Sequence, residues 1–396
     1  MLKNNLNGTL MINSITLPKI MHIGANSVDL LTDTLASLGC RFPCIISDNT
    51  MLELGYVAKL EKLLNEKSIE SGVFSDTMPE PDDLSIMEAV KLCNAHHYDC
   101  LIALGGGSAI DSAKAIALLV SHGGQMRDYK VPYNITESNL PVIAIPTTAG
   151  TGSEATKVTV ISDSQTHEKM LCMGTGLMPA AAIIDYQFTL SLPTRIAADT
   201  GIDALTHAIE AYVSRKANTF SDHQAIAAMK LLAPNLIKDC HEPDNLAAKE
   251  AMMLGATLAG IAFSNASVGL VHGMSRPIGV HFHVPHGLSN AMLLPTITEY
   301  SLIGAPLRYA ECALHMGLVA DISDQTLAHK ELIKALNHIN STLLVPTLAE
   351  FGIEKPAFEG LLSLMADQAL ASGSPSNNPR IPDKEKIIDL YKKVWQ

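Results

Sequence analysis

Along the first half of the chain, short β-branched runs alternate with stretches whose apolar residues recur every three or four positions. CIISD (44–48), CLIAL (100–104) and PVIAIP (141–146) read as buried strands. The segments 52–66, 83–97 and SAIDSAKAIALLVS (108–121) read as helices. Alternation of this kind predicts a parallel sheet with helices on both faces and a ligand at the carboxyl ends of the strands. After SLPT (191–194) the β-branched runs fade, and Ala-, Leu- and Met-rich helical patterns take over through TGIDALTHAIEAYVS, 222–238 and AAKEAMMLGATLAGIAFSNAS. The expected architecture is an α/β nucleotide-binding domain over 1–191 and an all-α domain over 192–396, divided near Leu192, with the chemistry in the cleft between them.

Four candidate metal ligands stand in two short segments of the helical half. Asp203 and His207 are four residues apart, so on a helix they share one face. His272 and His286 flank GMSRPIGVHFHVP, the first expected on a helix and the second on a following loop. One carboxylate and three imidazoles suit a divalent transition metal such as iron or zinc, whereas calcium would want oxygens and a structural zinc would usually want thiolates. The competing reading is an ordinary amphipathic helix. Ala204, Leu205, Ala208, Ile209 and Tyr212 form its apolar stripe, and Asp203, His207 and Glu210 its polar face. The near-apolar, Gly-rich surroundings of His272 favour the metal, because they are a poor place for an unpaired imidazole. His281 and His283, read as an extended HFH segment pointing to one side, stay open as pocket, supporting or surface residues.

Two loops of the α/β half carry cofactor chemistry. Gly105, Gly106, Gly107 and Ser108 lie between a strand and a helix, where outward-facing amides and the helix N-terminus would cradle a pyrophosphate. The run is not the G-x-G-x-x-G fingerprint. PTTAGTGSEAT (146–156) supplies the hydroxyls of Thr147, Thr148, Thr151 and Ser153, either as a polar turn or as donors to phosphate, ribose and nicotinamide. Asp48, ending its strand, could accept both adenosine ribose hydroxyls and repel a 2′-phosphate, favouring NAD over NADP; the other reading is a helix cap.

Composition narrows the setting. The chain has 396 residues, 47% of them hydrophobic, and its mean hydropathy is positive. No uninterrupted apolar stretch reaches the length of a membrane span, and the N-terminus carries no sustained apolar run that would read as a secretory signal. Seven cysteines without C-x-x-C spacing read as reduced thiols in a cytoplasm, with Cys40 and Cys44 packing around a strand. A formal charge of −12 without a basic cluster argues against nucleic acid and anionic membranes as partners.

The ordered set GGGSAIDSAKA, PTTAGTGSEAT, TGIDALTHAIEAYVS and HGMSRPIGVHFHVPHGLSNAMLLP resembles the iron-containing (group III) alcohol dehydrogenases, over nearly the whole chain and including NNPRIP (377–382). The resemblance implies a dehydroquinate-synthase-like fold and metal-assisted hydride transfer between a small primary alcohol and NAD. It carries over Asp203, His207, His272 and His286 as ligands of a divalent metal, with Fe²⁺ expected and Zn²⁺ as the alternative. It also carries over Asp48, Gly106, Gly107, Ser108, Thr147, Thr148, Ser153 and Lys169 as cofactor contacts and Phe263 as a pocket wall. A homodimer is expected from the family and from the commonness of two-fold symmetry.

One position departs from the pattern. Many relatives have a His four residues after the third ligand, where this chain has Arg276. An Arg cannot relay a proton at neutral pH. Arg276 is either an anion-binding substrate contact or half of a structural salt bridge. Two other functions share the fold: a zinc-type polyol (glycerol-like) dehydrogenase, and an NAD-dependent sugar-phosphate lyase resembling dehydroquinate synthase. The lyase would need several cations for phosphate and carboxylate, and the motif regions offer mainly Lys157, Lys169 and Arg276.

Overall fold

The computed structural model describes residues 12–166 and 168–395. The N-terminal stretch 1–14, in which no secretory signal is expected, lies mostly outside that range. Six strands form one wholly parallel sheet: β1 (Ile20–Ile23), β2 (Pro43–Ile46), β3 (Gly72–Phe74), β4 (Cys100–Gly105), β5 (Val142–Pro146) and β8 (Ala181–Ile184), in the order β1-β8-β5-β4-β2-β3. An antiparallel pair, β6 (Val158–Ser162) and β7 (Lys169–Met173), stands apart as a hairpin.

β4 and β5 are buried at every position because both faces of the sheet are covered. Leu101 and Ala103 pack with α4 (Asp83–His96) and α5 (Gly107–His122) on one side. Ile102 and Leu104 pack with α1 (Leu31–Leu38) and α3 (Tyr56–Asn65) on the other. The register pairs Gly105 with Pro146, so β4 and β5 end side by side and release their loops at one edge. That register is what brings the glycine turn and the threonine loop together.

The helical half begins with α6 (Thr194–Val213), two residues past Leu192. It continues through α7 (Thr219–His241), α8 (Leu246–Ser264), α9 (Leu270–Phe282) and α10 (His286–Ser301). Four further helices, α11 (Pro306–His315), α12 (Gln325–Thr342), α13 (Lys355–Ala371) and α14 (Lys384–Trp395), complete one large apolar core. α8 has the length and hydropathy of a membrane-spanning helix, but its Met252, Ala256 and Ala259 are sealed in that core, which accounts for its composition. α8 also meets the α/β half directly. A Cβ on Gly152 would stand 2.5 Å from Gly260 Cα, so the loop after β5 can lie on α8 only where both residues lack side chains.

Several expectations need correction. The helix expected over 52–66 is two, α2 (Asn49–Glu53) and α3, because Gly55 turns the chain at φ 76°. The HFH segment is not extended: His281 and Phe282 end α9 and His283 closes it in the left-handed conformation, φ 54°. His286 is the first residue of α10 rather than part of a loop. Strands β1 and β3 are only partly buried, β8 opens on two alanines, and the β6–β7 hairpin is buried at every second position, so none stands out as a continuously apolar β-branched run.

Candidate metal and cofactor site

The four expected ligands converge. α6 presents Asp203 and His207 one turn apart, α9 contributes His272 from its first turn, and His286 opens α10. Asp203 Oδ1 lies 3.4 Å from His272 Nε2 and 3.9 Å from His286 Nε2, and Asp203 Oδ2 lies 3.9 Å from His207 Nδ1. Donors each about 2.1 Å from one tetrahedral ion would stand ~3.4 Å apart, so the set needs little movement to close on a metal. Asp203, His207 and His272 are buried, whereas the His286 side chain is 47% exposed and forms the open side.

One buried polar atom of the set fits a bound cation. His207 Nδ1 has no hydrogen-bond partner and lies 3.9 Å from Asp203 Oδ2. Leaving such an atom unsatisfied is costly, and a cation shared with Asp203 would satisfy it. Asn290 Nδ2 lies 2.7 Å from Asp203 Oδ1 and 3.2 Å from Nε2 of both His272 and His286, so its amide is at the centre of the ligand set.

The electrostatics suit ligation. Burial alone would raise the Asp203 carboxyl, but His207, His286 and His272 outweigh it and hold Asp203 below the usual carboxylate range. Burial pushes His207 down to about 3 and His286 to about 4, in both cases against the pull of Asp203. Arg276 and Lys169 add to the depression of His286, which places both cations near the open side. An ionised carboxylate and neutral imidazoles are the forms that bind a metal. His272 differs: burial opposes its charge, yet hydrogen bonds to Asp203 and Glu210 lift it to about 9.

Glu210 explains that difference. It lies on α6 one turn beyond His207, buried, and its Oε2 stands 2.7 Å from His272 Nδ1. The same carboxylate accepts the amides of Gly269 at 2.8 Å and Val271 at 2.7 Å, pinning the start of α9. A carboxylate behind a ligating imidazole fixes its tautomer and aims Nε2 at the metal. In the sequence Glu210 belonged only to the polar face of its helix. Asn290 was missed altogether, although its place four residues after His286 is a helical-spacing signal. Phe263 stacks on His207 with ring centroids 4.3 Å apart, forming an apolar wall.

The cofactor loops also meet, but their hydroxyls are used differently from expectation. Gly106 is the N-cap of α5 with no side chain to cap it, leaving the first amides of that helix open. A Cβ on Gly106 would come within 3.3 Å of Thr148, and one on Gly107 within 2.7 Å of Thr151, so the two loops form one cradle. Gly105, at φ 151°, makes the turn, and its missing Cβ faces Asp48 Oδ2 at 3.4 Å. Asp48 caps α2 by accepting from Met51 N through Oδ1, and Oδ2 is left facing the glycine turn.

The Ser108 and Ser153 hydroxyls already have partners within the fold. Ser108 donates to the Pro79 carbonyl, and the Ser153 hydroxyl donates to Asp111 at 2.6 Å while accepting from Lys114 at 2.9 Å. Lys114, also buried, binds the Thr156 and Val158 carbonyls at 3.0 and 2.8 Å. Thr257 of α8 donates to Glu154 at 2.6 Å. Ser153 therefore braces the cradle from behind. Thr147 is buried under the loop, with its amide bonded to the Gly105 carbonyl. Lys169, at the start of β7, pairs with Glu80 at 2.9 Å. Arg276 has no carboxylate partner among the described residues, and its Nη1 donates to Ser374 Oγ at 3.2 Å. Its expected structural salt bridge is absent there. Burial lowers the Arg276 guanidinium, with Glu210 acting in the opposite sense.

A second group of Cys40, Asp99 and Cys100 is close enough to hold a metal, at the amino end of β4 and far from the cradle. Its carboxylate is already taken by the amides of Arg41 at 2.8 Å and Phe42 at 2.9 Å.

A dehydrogenase that combines a nucleotide cradle with a set of metal ligands is the class this geometry describes, and comparison with known proteins agrees. Residues 18–186 match the iron-containing alcohol dehydrogenase family, and residues 197–395 match the C-terminal part of the Fe-containing alcohol dehydrogenase family. Alcohol dehydrogenase 4 of Saccharomyces cerevisiae is 32% identical over 388 residues, covering 97% of this chain and 99% of the yeast protein. The NAD-dependent methanol dehydrogenase of Bacillus methanolicus is 32% identical over 378 residues, covering 95% and 98%. A crystal structure of 1,3-propanediol oxidoreductase superposes with a TM-score of 0.93 at 30% identity, covering 97% of this chain and all of that one. The chain belongs to the iron-containing alcohol dehydrogenase family and is an enzyme of alcohol–aldehyde oxidoreduction. The family implies a divalent metal and NAD(H).

Proposed function

We propose that the protein reduces a small aldehyde, and oxidises the corresponding primary alcohol, with NAD(H) and a metal held by Asp203, His207, His272 and His286. The clustering of Asp203, His207 and His272 around a buried imidazole nitrogen without a partner, with His286 Nε2 3.9 Å from Asp203 at the open side, supports the reading. A divalent cation supplies Lewis acidity towards the substrate oxygen. Asp203 contributes the only negative charge of the set, His207 is held flat between Phe263 and His272, and Glu210 keeps His272 aimed inward. His286 leaves the substrate side open. The amides at the start of α5 hold the cofactor pyrophosphate, and Thr148 and Thr151 shape the same cradle. Asp48 Oδ2 faces the adenosine end and favours NAD over NADP. Lys169 assists at the rim.

Iron(II) is the proposed metal, with zinc as the rival, since one carboxylate and three imidazoles accept either. A cytoplasmic location is proposed, supported by seven cysteines that are all free and buried. A homodimer is the proposed assembly, checked by light scattering of the purified protein. The lyase reading is weaker: of Lys157, Lys169 and Arg276, the cations the motif regions offer to a phosphate and a carboxylate, Lys169 is paired with Glu80. The function is tested by stripping the metal, reloading anaerobically with Fe²⁺ or Zn²⁺, and following NADH oxidation with short aldehydes. Metal-restored turnover that is absent in His272→Ala supports the assignment. No turnover with any metal overturns it.

A further inference from the structure

Beside the metal-ligand set, between the β6–β7 hairpin and α9, lies a cavity of about 950 Å³. Three permanent cations line it: Lys130, Lys169 and Arg276. Lys130 is held by Glu168 at 2.8 Å and Lys169 by Glu80 at 2.9 Å. The wall acid Asp163 is likewise held, by Arg127 at 2.9 Å, and Asp82 caps α4. Arg276 alone of these cations faces no carboxylate among the described residues, and its one hydrogen bond, to Ser374, leaves most of its five donors unused. Its planar fork matches a carboxylate in two parallel hydrogen bonds. The wall therefore offers one guanidinium with donors to spare, which an anionic group can take up.

The place of Arg276 sets what the anion is attached to. Arg276 follows His272 by four residues on α9, so the two side chains leave one face of the helix one turn apart. The rise between them is about 6 Å, which a chain on the order of three to five carbons spans.

We infer that Arg276 is a specificity-determining residue that holds the carboxylate of a short semialdehyde or hydroxy acid while the aldehyde or alcohol end meets the metal-ligand set. The inference rests on the dehydrogenase reading above and names the substrate class of that same site. The carboxylate is not altered in the reaction; its binding orients the other end of the molecule.

The test compares kcat/KM for 4-oxobutanoate and for butanal, of equal chain length, in the metal-loaded enzyme and in Arg276→Gln and Arg276→Lys. The wild type should prefer the carboxylated aldehyde by about tenfold or more, and Arg276→Gln should reduce that ratio by about as much, through KM, with Arg276→Lys in between. A wild-type ratio of one or less, or a ratio that Arg276→Gln does not move, overturns the inference. Should the variants not fold, wild-type calorimetry with succinamate and succinamide decides: tighter binding of the acid supports Arg276 as its partner, and equal binding refutes it. That measurement needs no turnover. A failure of the dehydrogenase reading shows as no reduction of butanal with any metal, and so stays distinct from a failure at Arg276.

Discussion

The metal-ligand set and the cofactor cradle are built on opposite plans. The first is made of side chains: four ligands on three helices, with Glu210 and Asn290 orienting them. The second is made of backbone and of absent side chains, with Gly105, Gly106 and Gly107 clearing space and the nearby hydroxyl of Ser153 turned inward to Asp111 and Lys114. A site of the first kind should fail when one residue changes. A site of the second kind should weaken by degrees, because many amides and close contacts share the ligand.

Asp203→Ala tests this contrast with the largest expected effect. It removes the one charge among the ligands, so metal content should fall to background and kcat by at least ~10³-fold. Elemental analysis and turnover on one sample check it, and a metal-replete variant would break the contrast. Glu210→Gln should come next. It keeps the shape but weakens the hold on His272, and metal affinity in a chelator competition should drop by about 10–100-fold. An unchanged affinity would reduce Glu210 to an anchor for the start of α9.

In the cradle, Gly107→Val adds a Cβ that would stand 2.7 Å from Thr151. The KM for NADH should rise about tenfold, a loss of ~1.4 kcal/mol, with metal content retained. A loss of metal in this variant would show that the two sites are not separable. The smallest change belongs to Asp48→Ser, which keeps a cap for the Met51 amide but removes the free carboxylate oxygen. Discrimination between NADH and NADPH, read as the ratio of kcat/KM, should fall by roughly two- to tenfold. No change would leave Asp48 as a helix cap only.

The same division explains what was legible in the sequence. The four ligands were readable because coordination demands particular side chains, and helical spacing put Asp203 and His207 on one face. The central strands β2, β4 and β5 were readable because burial on both faces makes them continuously apolar. Edge strands of three or four residues such as β3 and β1 carry no comparable pattern. The break between α2 and α3 hung on one glycine inside a helical period. Glu210 was hidden because a carboxylate on a polar face has the same pattern whether it meets solvent or a buried imidazole. Ser153 was misjudged for a related reason: its partners Asp111 and Lys114 are about forty residues earlier and meet it only across the fold.

The proposed chemistry requires that Asp203, His207, His272 and His286 hold one catalytic metal. Anomalous diffraction at the iron edge, from crystals of protein purified anaerobically with Fe²⁺, decides this. A single strong peak is expected about 2.0–2.3 Å from Asp203 oxygen and from one nitrogen of each histidine. A metal-free site at full iron loading, or a peak instead at Cys40, Asp99 and Cys100, would contradict it.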